Sequence, residues 1–121
     1  MNGLETAKRE ILAECDRDHV GLWWVIKLIR QESARTHGNE QRETLDVLKG
    51  LLEEGLILVG QPTVEGDFLV WDTSPIDSIE HMREEWNQLG REPRLGEVAW
   101  FTTPRRRADA DLTGSREPLP K

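Results

Sequence analysis

The sequence predicts one α+β domain, and three observations predict it. Glu43 to Glu54 is amphipathic at helical spacing and stops at Gly55. Two short β-prone runs follow at once, Leu56 to Val59 and Phe68 to Trp71, joined by a polar loop that contains Pro62 and Glu65-Gly66-Asp67. A capped amphipathic segment and a further β-prone run come next. The expected order is three helices, a two-stranded hairpin, a fourth helix and a last strand. These occupy residues 1–103 as a single domain, with 104–121 as a flexible tail.

The elements can be justified in order. Leu4, Ala7, Ile11, Leu12 and Cys15 recur at helical spacing, with Glu5, Arg9, Glu10 and Glu14 between them. They predict a first helix that ends near Asp16. Asp18 stands where its carboxylate accepts from the free amides of the next helix. That second helix is expected from about His19 to Glu32. Its apolar set (Val20, Leu22, Trp23, Trp24, Val25, Ile26, Leu28, Ile29) suits a helix central to the core or offered to a partner. Gly21 weakens such a helix by roughly 1 kcal/mol relative to alanine, so packing has to hold it.

Residues 33–39 are polar, contain a glycine and read as a turn. The third helix is expected over about Glu40 to Glu54, with Leu45, Leu48 and Leu52 as its buried stripe. Gly55 belongs in the left-handed position that ends it, and Leu56 then packs back on Leu51. Ser74 caps the fourth helix, Pro75 suits its first position and Asp77 lies three residues after the cap. Ile76, Ile79, Met82, Trp86 and Leu89 form its apolar stripe, and Gly90 ends it. Val98 to Thr102 is the last strand, which extends the hairpin sheet or covers its edge.

Composition restricts the function classes. The 121 residues carry a net charge of −7. Twenty acidic residues face eleven basic ones over 1–103, a net −9, while the tail is +2. Phosphate backbones repel so acidic a domain unless basic side chains cluster locally. No apolar run approaches the roughly 20 residues of a membrane helix, and the N-terminal MNGLETAKRE lacks the apolar core of a signal peptide. With a single cysteine, the expected compartment is the reducing cytoplasm.

The inventory is poor in chemistry. His19, His37 and His81 fall in three separate segments. His81 and Glu85 share a helix face, which is two-ligand metal spacing, but a solvated face explains them as simply. Cys15 lies on an apolar stripe and reads as a structural thiol. Glu53-Glu54 and Glu84-Glu85 point to different faces and make no acid–base dyads. No catalytic residue, metal site or cofactor is expected.

Two surfaces compete as binding sites. The five tryptophans occur without a tyrosine; Trp24, Trp71, Trp86 and Trp100 fall on stripe or strand positions and read as core, whereas Trp23 aligns with Lys27 and Arg30 on the polar side of the second helix. Tryptophan beside arginine is the composition of a protein-binding hot spot. The plainer alternative is that Trp23 covers a helix seam, with its indole N–H reaching water. On the third helix, Gln41, Arg42 and Lys49 suit bases or phosphates, but Glu40, Glu43 and Asp46 share that surface. The hairpin loop adds Glu65 and Asp67 and no basic residue, while Lys27, Arg30 and Arg35 read as a small basic edge from the second helix and the turn. Arg105-Arg106-Arg107 could grip an acidic surface, though Asp109 and Asp111 follow closely.

The segment from about Ala7 to Trp71 resembles the winged-helix superfamily, chiefly through Glu43–Gly60 with its leucines, its Glu-Glu-Gly-Leu-Ile and the strands after it. The later stretches WDTSP (71–75), EEWNQLGREP (84–93) and GEVAWF (96–101) look like small bacterial proteins of unassigned function that append a helix and a strand. The resemblance implies a winged-helix-like fold and makes the third helix a candidate recognition element. The expected function is a non-enzymatic protein–protein interaction module of a bacterial cell, of the immunity, antitoxin or adaptor kind, with Trp23, Lys27 and Arg30 at the contact. The alternative is a DNA-binding regulator, acting as a homodimer through Gln41, Arg42 and Lys49.

Overall fold

The computed structural model describes residues 3–32 and 40–105, so the expected turn at 33–39 and the tail from 106 onward lie outside the described residues. The elements run α1 (Gly3–Arg17), β1 (Val20–Gly21), α2 (Leu22–Glu32), α3 (Glu40–Glu53), β2 (Leu58–Pro62), β3 (Phe68–Val70), α4 (Pro75–Leu89) and β4 (Trp100–Thr102). The protein is therefore α+β, with four helices and a four-stranded antiparallel sheet among the described residues. Its order differs from the expected one by the added strand β1. The second helix begins at Leu22 rather than His19, because Val20 and Gly21 are extended and pair with β4.

The sheet order is β1-β4-β2-β3. β4 thus lies inside the sheet, between an N-terminal strand and the hairpin. Phe101 stands opposite both Val20 and Val59, and its side chain is wholly buried. Gly21 and Gly60 flank Trp100 in the same way. The Leu22 N–H donates to the Ala99 carbonyl at 3.0 Å, so the first turn of α2 is tied to the approach of β4.

Local chemistry sets the helix ends. Gly55 has φ 74°; its N–H donates to the Leu52 carbonyl, and the Leu56 N–H donates to the Leu51 carbonyl, both at 3.0 Å. These are the paired bonds of the left-handed helix end read in the sequence. Leu56 itself stays 39% exposed. Ser74 caps α4 by accepting from the Asp77 N–H at 3.1 Å, and Gly90, at φ 69°, ends it.

The helices α1, α2 and α4 all pack on α3, and the core draws Ile11, Ile26, Leu48 and Met82 from the four of them. Within the expected α4 stripe, Ile79, Met82 and Trp86 are buried and Leu89 is partly so, but Ile76 is 58% exposed. Periodicity fixes the direction in which a stripe points, not how far along the helix the core extends.

The link from α4 to β4 is tightly held. Arg91 donates to both carboxylate oxygens of Glu97 at 2.8 Å, and the Arg94 N–H donates to Glu97 Oε1 at 2.7 Å. The Arg91 bonds first, then the Arg94 amide, hold the Glu97 carboxyl down from its ordinary 4.5 to about 2. Just beyond, Val98 has φ 73° while the Ala99 N–H closes back on the Glu97 carbonyl at 2.9 Å. This one-residue turn is strained for a β-branched side chain, by roughly 1–3 kcal/mol. Burial of the Val98 side chain and the clamp on Glu97 offset that strain.

Two outcomes follow. A Cβ at Gly60 would stand 2.1 Å from the Leu69 carbonyl oxygen, which is backbone and cannot swing away. Gly60→Ala should therefore cost about 3 kcal/mol in urea unfolding; an unchanged midpoint would contradict the register. Glu97 has a folded pKa below its unfolded one, so its contribution is complete above 4.5 and lost as pH falls from there towards 2. The stability gap between wild type and Glu97→Gln should close over that window, and a gap that widens on acidification would be inconsistent with the clamp.

Candidate functional site

The face of α2 brings Trp23 and Lys27 together. The two residues are one turn apart, and Lys27 Nζ lies 5.5 Å from the centroid of the Trp23 ring, within cation–π range. Trp23 is half-buried and Lys27 exposed. With Glu10 of α1 and with Trp24, Leu28 and Gln31 they line a groove of about 270 Å³. Its aromatic wall carries a cation and a carboxylate at the rim.

Gly21 explains how the indole sits. A Cβ there would lie 2.7 Å from Trp23 Cδ1 and 2.8 Å from Nε1, so the pyrrole edge rests on the bare glycine backbone. Trp23 Nε1 is buried and donates to no acceptor among the described residues. The alternative in which this N–H reaches water is therefore corrected: the polar end of the ring is turned inward. Gly21 is also not a weak point inside a helix but a β1 residue that makes room for Trp23.

Arg30 is separated from this pair in its bonding. It is ion-paired with Glu92 beyond α4 and stands 3.9 Å from Glu40 at the start of α3. Its guanidinium thus joins three segments of the fold. The proposed basic neighbour Arg35 lies outside the described residues.

The residues considered for DNA do not converge. Gln41 Nε2 donates to Asn87 Oδ1 of α4 at 3.0 Å, whereas Arg42 and Lys49 lie on the strip of α3 left outward by its neighbours. That strip reads Arg42, Asp46, Lys49, Glu53, alternating in sign, with Lys49 partly covered. Across the hairpin, Thr63 Oγ1 accepts from the Asp67 N–H at 3.1 Å, and Gly66 takes φ 96°. The exposed acidic residues Glu65 and Asp67 occupy this turn.

The remaining candidates for chemistry resolve simply. The Cys15 side chain is wholly buried. Burial, and after it Glu14 and Asp16, pushes its thiol up to about 12, so it stays protonated and unreactive near neutrality. His81 Nε2 lies 3.5 Å from Glu85 Oε2 on the exposed side of α4. No group of three or more metal-type ligands comes together among the described residues. Arg105 is bonded to Asp16, which ties the start of the basic run to α1; Arg106 and Arg107 lie outside the described residues.

Sequence reading missed a second groove. Trp71, Asp72, Thr73, Asp77, Glu80, His81 and Glu84 line an open groove of about 470 Å³. Trp71, expected in the core, packs against it but is only half-buried, its ring edge-on to His81 with centroids 4.8 Å apart. The spacing of Asp77, Glu80, His81 and Glu84, at i, i+3, i+4 and i+7, marks one helix face. That signal was available before the fold was known.

Comparison of the chain with protein-family models, curated proteins and solved structures gave no match. No helix among the described residues is long and apolar enough to cross a membrane.

Adding a methyl group at Gly21 should expel the Trp23 indole from its seat. Gly21→Ala is expected to shift one tryptophan indole resonance strongly and to increase quenching of tryptophan fluorescence by acrylamide. An unaltered indole spectrum would show that the ring does not rest on this glycine.

Proposed function

We propose that this chain is a non-enzymatic protein-interaction module on a winged-helix-like scaffold, acting in the bacterial cytoplasm as an immunity, antitoxin or adaptor protein does. The observation that carries the reading is the Trp23–Lys27 groove. Tryptophan is enriched among the residues that alanine scanning finds to dominate protein interfaces, and here it lies half-buried in a concave surface with Lys27 over its ring. Lys27 is the exposed cation of this groove and Glu10 its exposed carboxylate, while Arg30 is ion-paired with α3 and with the chain after α4.

The DNA-binding alternative draws support from Arg42 and Lys49, which share the outward strip of α3. The same strip carries Asp46 and Glu53, and Gln41 is engaged by Asn87. A groove of phosphates would meet as many carboxylates as cations there, which favours the protein-binding reading.

The test is affinity capture with the full chain at physiological salt, comparing wild type, Trp23→Ala and Lys27→Glu. A partner held by wild type should bind both variants at least about tenfold more weakly, with each variant shown to be folded by circular dichroism. Duplex DNA of mixed sequence should not be retarded at micromolar protein in low salt. Equal capture by all three proteins, or DNA retardation abolished by Arg42→Ala and Lys49→Ala, would sink the proposal.

A further inference from the structure

We infer that the Trp71 groove docks an arginine- or lysine-bearing segment of a partner protein. This is a second contact surface, separate from the α2 groove, and it rests on the reading that the partner is a protein. Its volume of about 470 Å³ falls within the roughly 300–1,000 Å³ of clefts that hold ligands, enough for the side chains of a short peptide.

Charge complementarity identifies the occupant. Four carboxylates line the groove (Asp72, Asp77, Glu80 and Glu84) and no lysine or arginine does. Glu80 is bonded to Arg83 on its own helix, while Asp72, Asp77 and Glu84 enter no ion pair among the described residues. Several carboxylates elsewhere are matched: Glu14 by Arg17, Glu40 and Glu92 by Arg30, Glu97 by Arg91, and Asp16 by Arg105. Three unpaired carboxylates thus stand beside the Trp71 indole in a single groove, whereas the indole-lined groove on α2 already holds Lys27. An aromatic face beside unpaired carboxylates attracts an organic cation through both its charge and its stem.

The arrangement does not suit a bare metal ion. Asp77, Glu80 and Glu84 are spread along two turns of α4, and the groove residues form no group of three converging metal ligands. Carboxylates spread along a helix face can meet several separate cations, as a basic peptide presents, and do not converge on one ion. Thr73, whose hydroxyl is hydrogen-bonded to that of Ser78 at 2.6 Å, adds a fixed polar group at one end.

The experiment is a titration of the full-length, nitrogen-15-labelled protein with a capped octapeptide of alternating arginine and glycine, followed by magnetic resonance. The indole resonance identified as Trp71 by its loss in Trp71→Phe should shift saturably. Glu80→Gln combined with Glu84→Gln should weaken binding at least about fivefold, whereas Glu53→Gln combined with Glu54→Gln, an equal loss of charge elsewhere, should leave it unchanged. Lys27→Glu should also bind the peptide like wild type, so failure at this groove and failure at the α2 groove are told apart. The inference is overturned by equal weakening in both double variants, by no shift at Trp71, or by spermidine or calcium chloride saturating the same resonance as tightly as the peptide.

Discussion

The pairing of Trp100–Thr102 inside the sheet is the constraint on which the other elements depend. Phe101 meets Val20 on one side and Val59 on the other, so one residue joins the N-terminal helices to the hairpin. The Ala99 carbonyl receives the first amide of α2, which fixes where that helix starts. The start of α2 in turn places Trp23 over Gly21. The seat of the candidate contact residue is therefore set by a strand from the far end of the domain. The clamp between Arg91 and Glu97 serves the same constraint, since it delivers the chain into β4 through a turn that Val98 would not adopt unaided.

The fourth helix changes how the third can be used. In isolation, the polar side of α3 resembles a surface for reading a duplex. With α4 laid against it, Gln41 is committed to Asn87, and only a narrow strip of alternating charge faces outward. α4 also carries its own acidic face away from the core and towards Trp71. The result is a domain whose helix suited to recognition is mostly scaffold, while the aromatic grooves lie on α2 and at the start of α4.

Much of the architecture was legible because it follows from short-range rules. The end of α3 at Gly55, the cap at Ser74 and the hairpin between Leu58 and Val70 each rest on residues close in sequence. Strand β1 was not legible, because two residues carry no periodicity and their partner lies at the opposite end of the chain. The candidate surface was legible in part. Helical spacing put Trp23 and Lys27 on one face, but it could not show that Arg30 would be drawn off by Glu92, or that Gly21 seats the indole. An aromatic residue ending a strand reads as core, and Trp71 does pack there; its half-open side is not legible because the acidic face beside it belongs to a different element.

The sheet's outermost strands are unusually short: β1 has two residues and β3 three. An edge of that length offers few free backbone groups to a foreign strand, which is one way natural sheets avoid uncontrolled polymerisation. This holds although Leu69 is 67% exposed and Val64 in the adjoining turn 99% exposed. A domain built this way is poorly suited to recruit company by extending its own ladder.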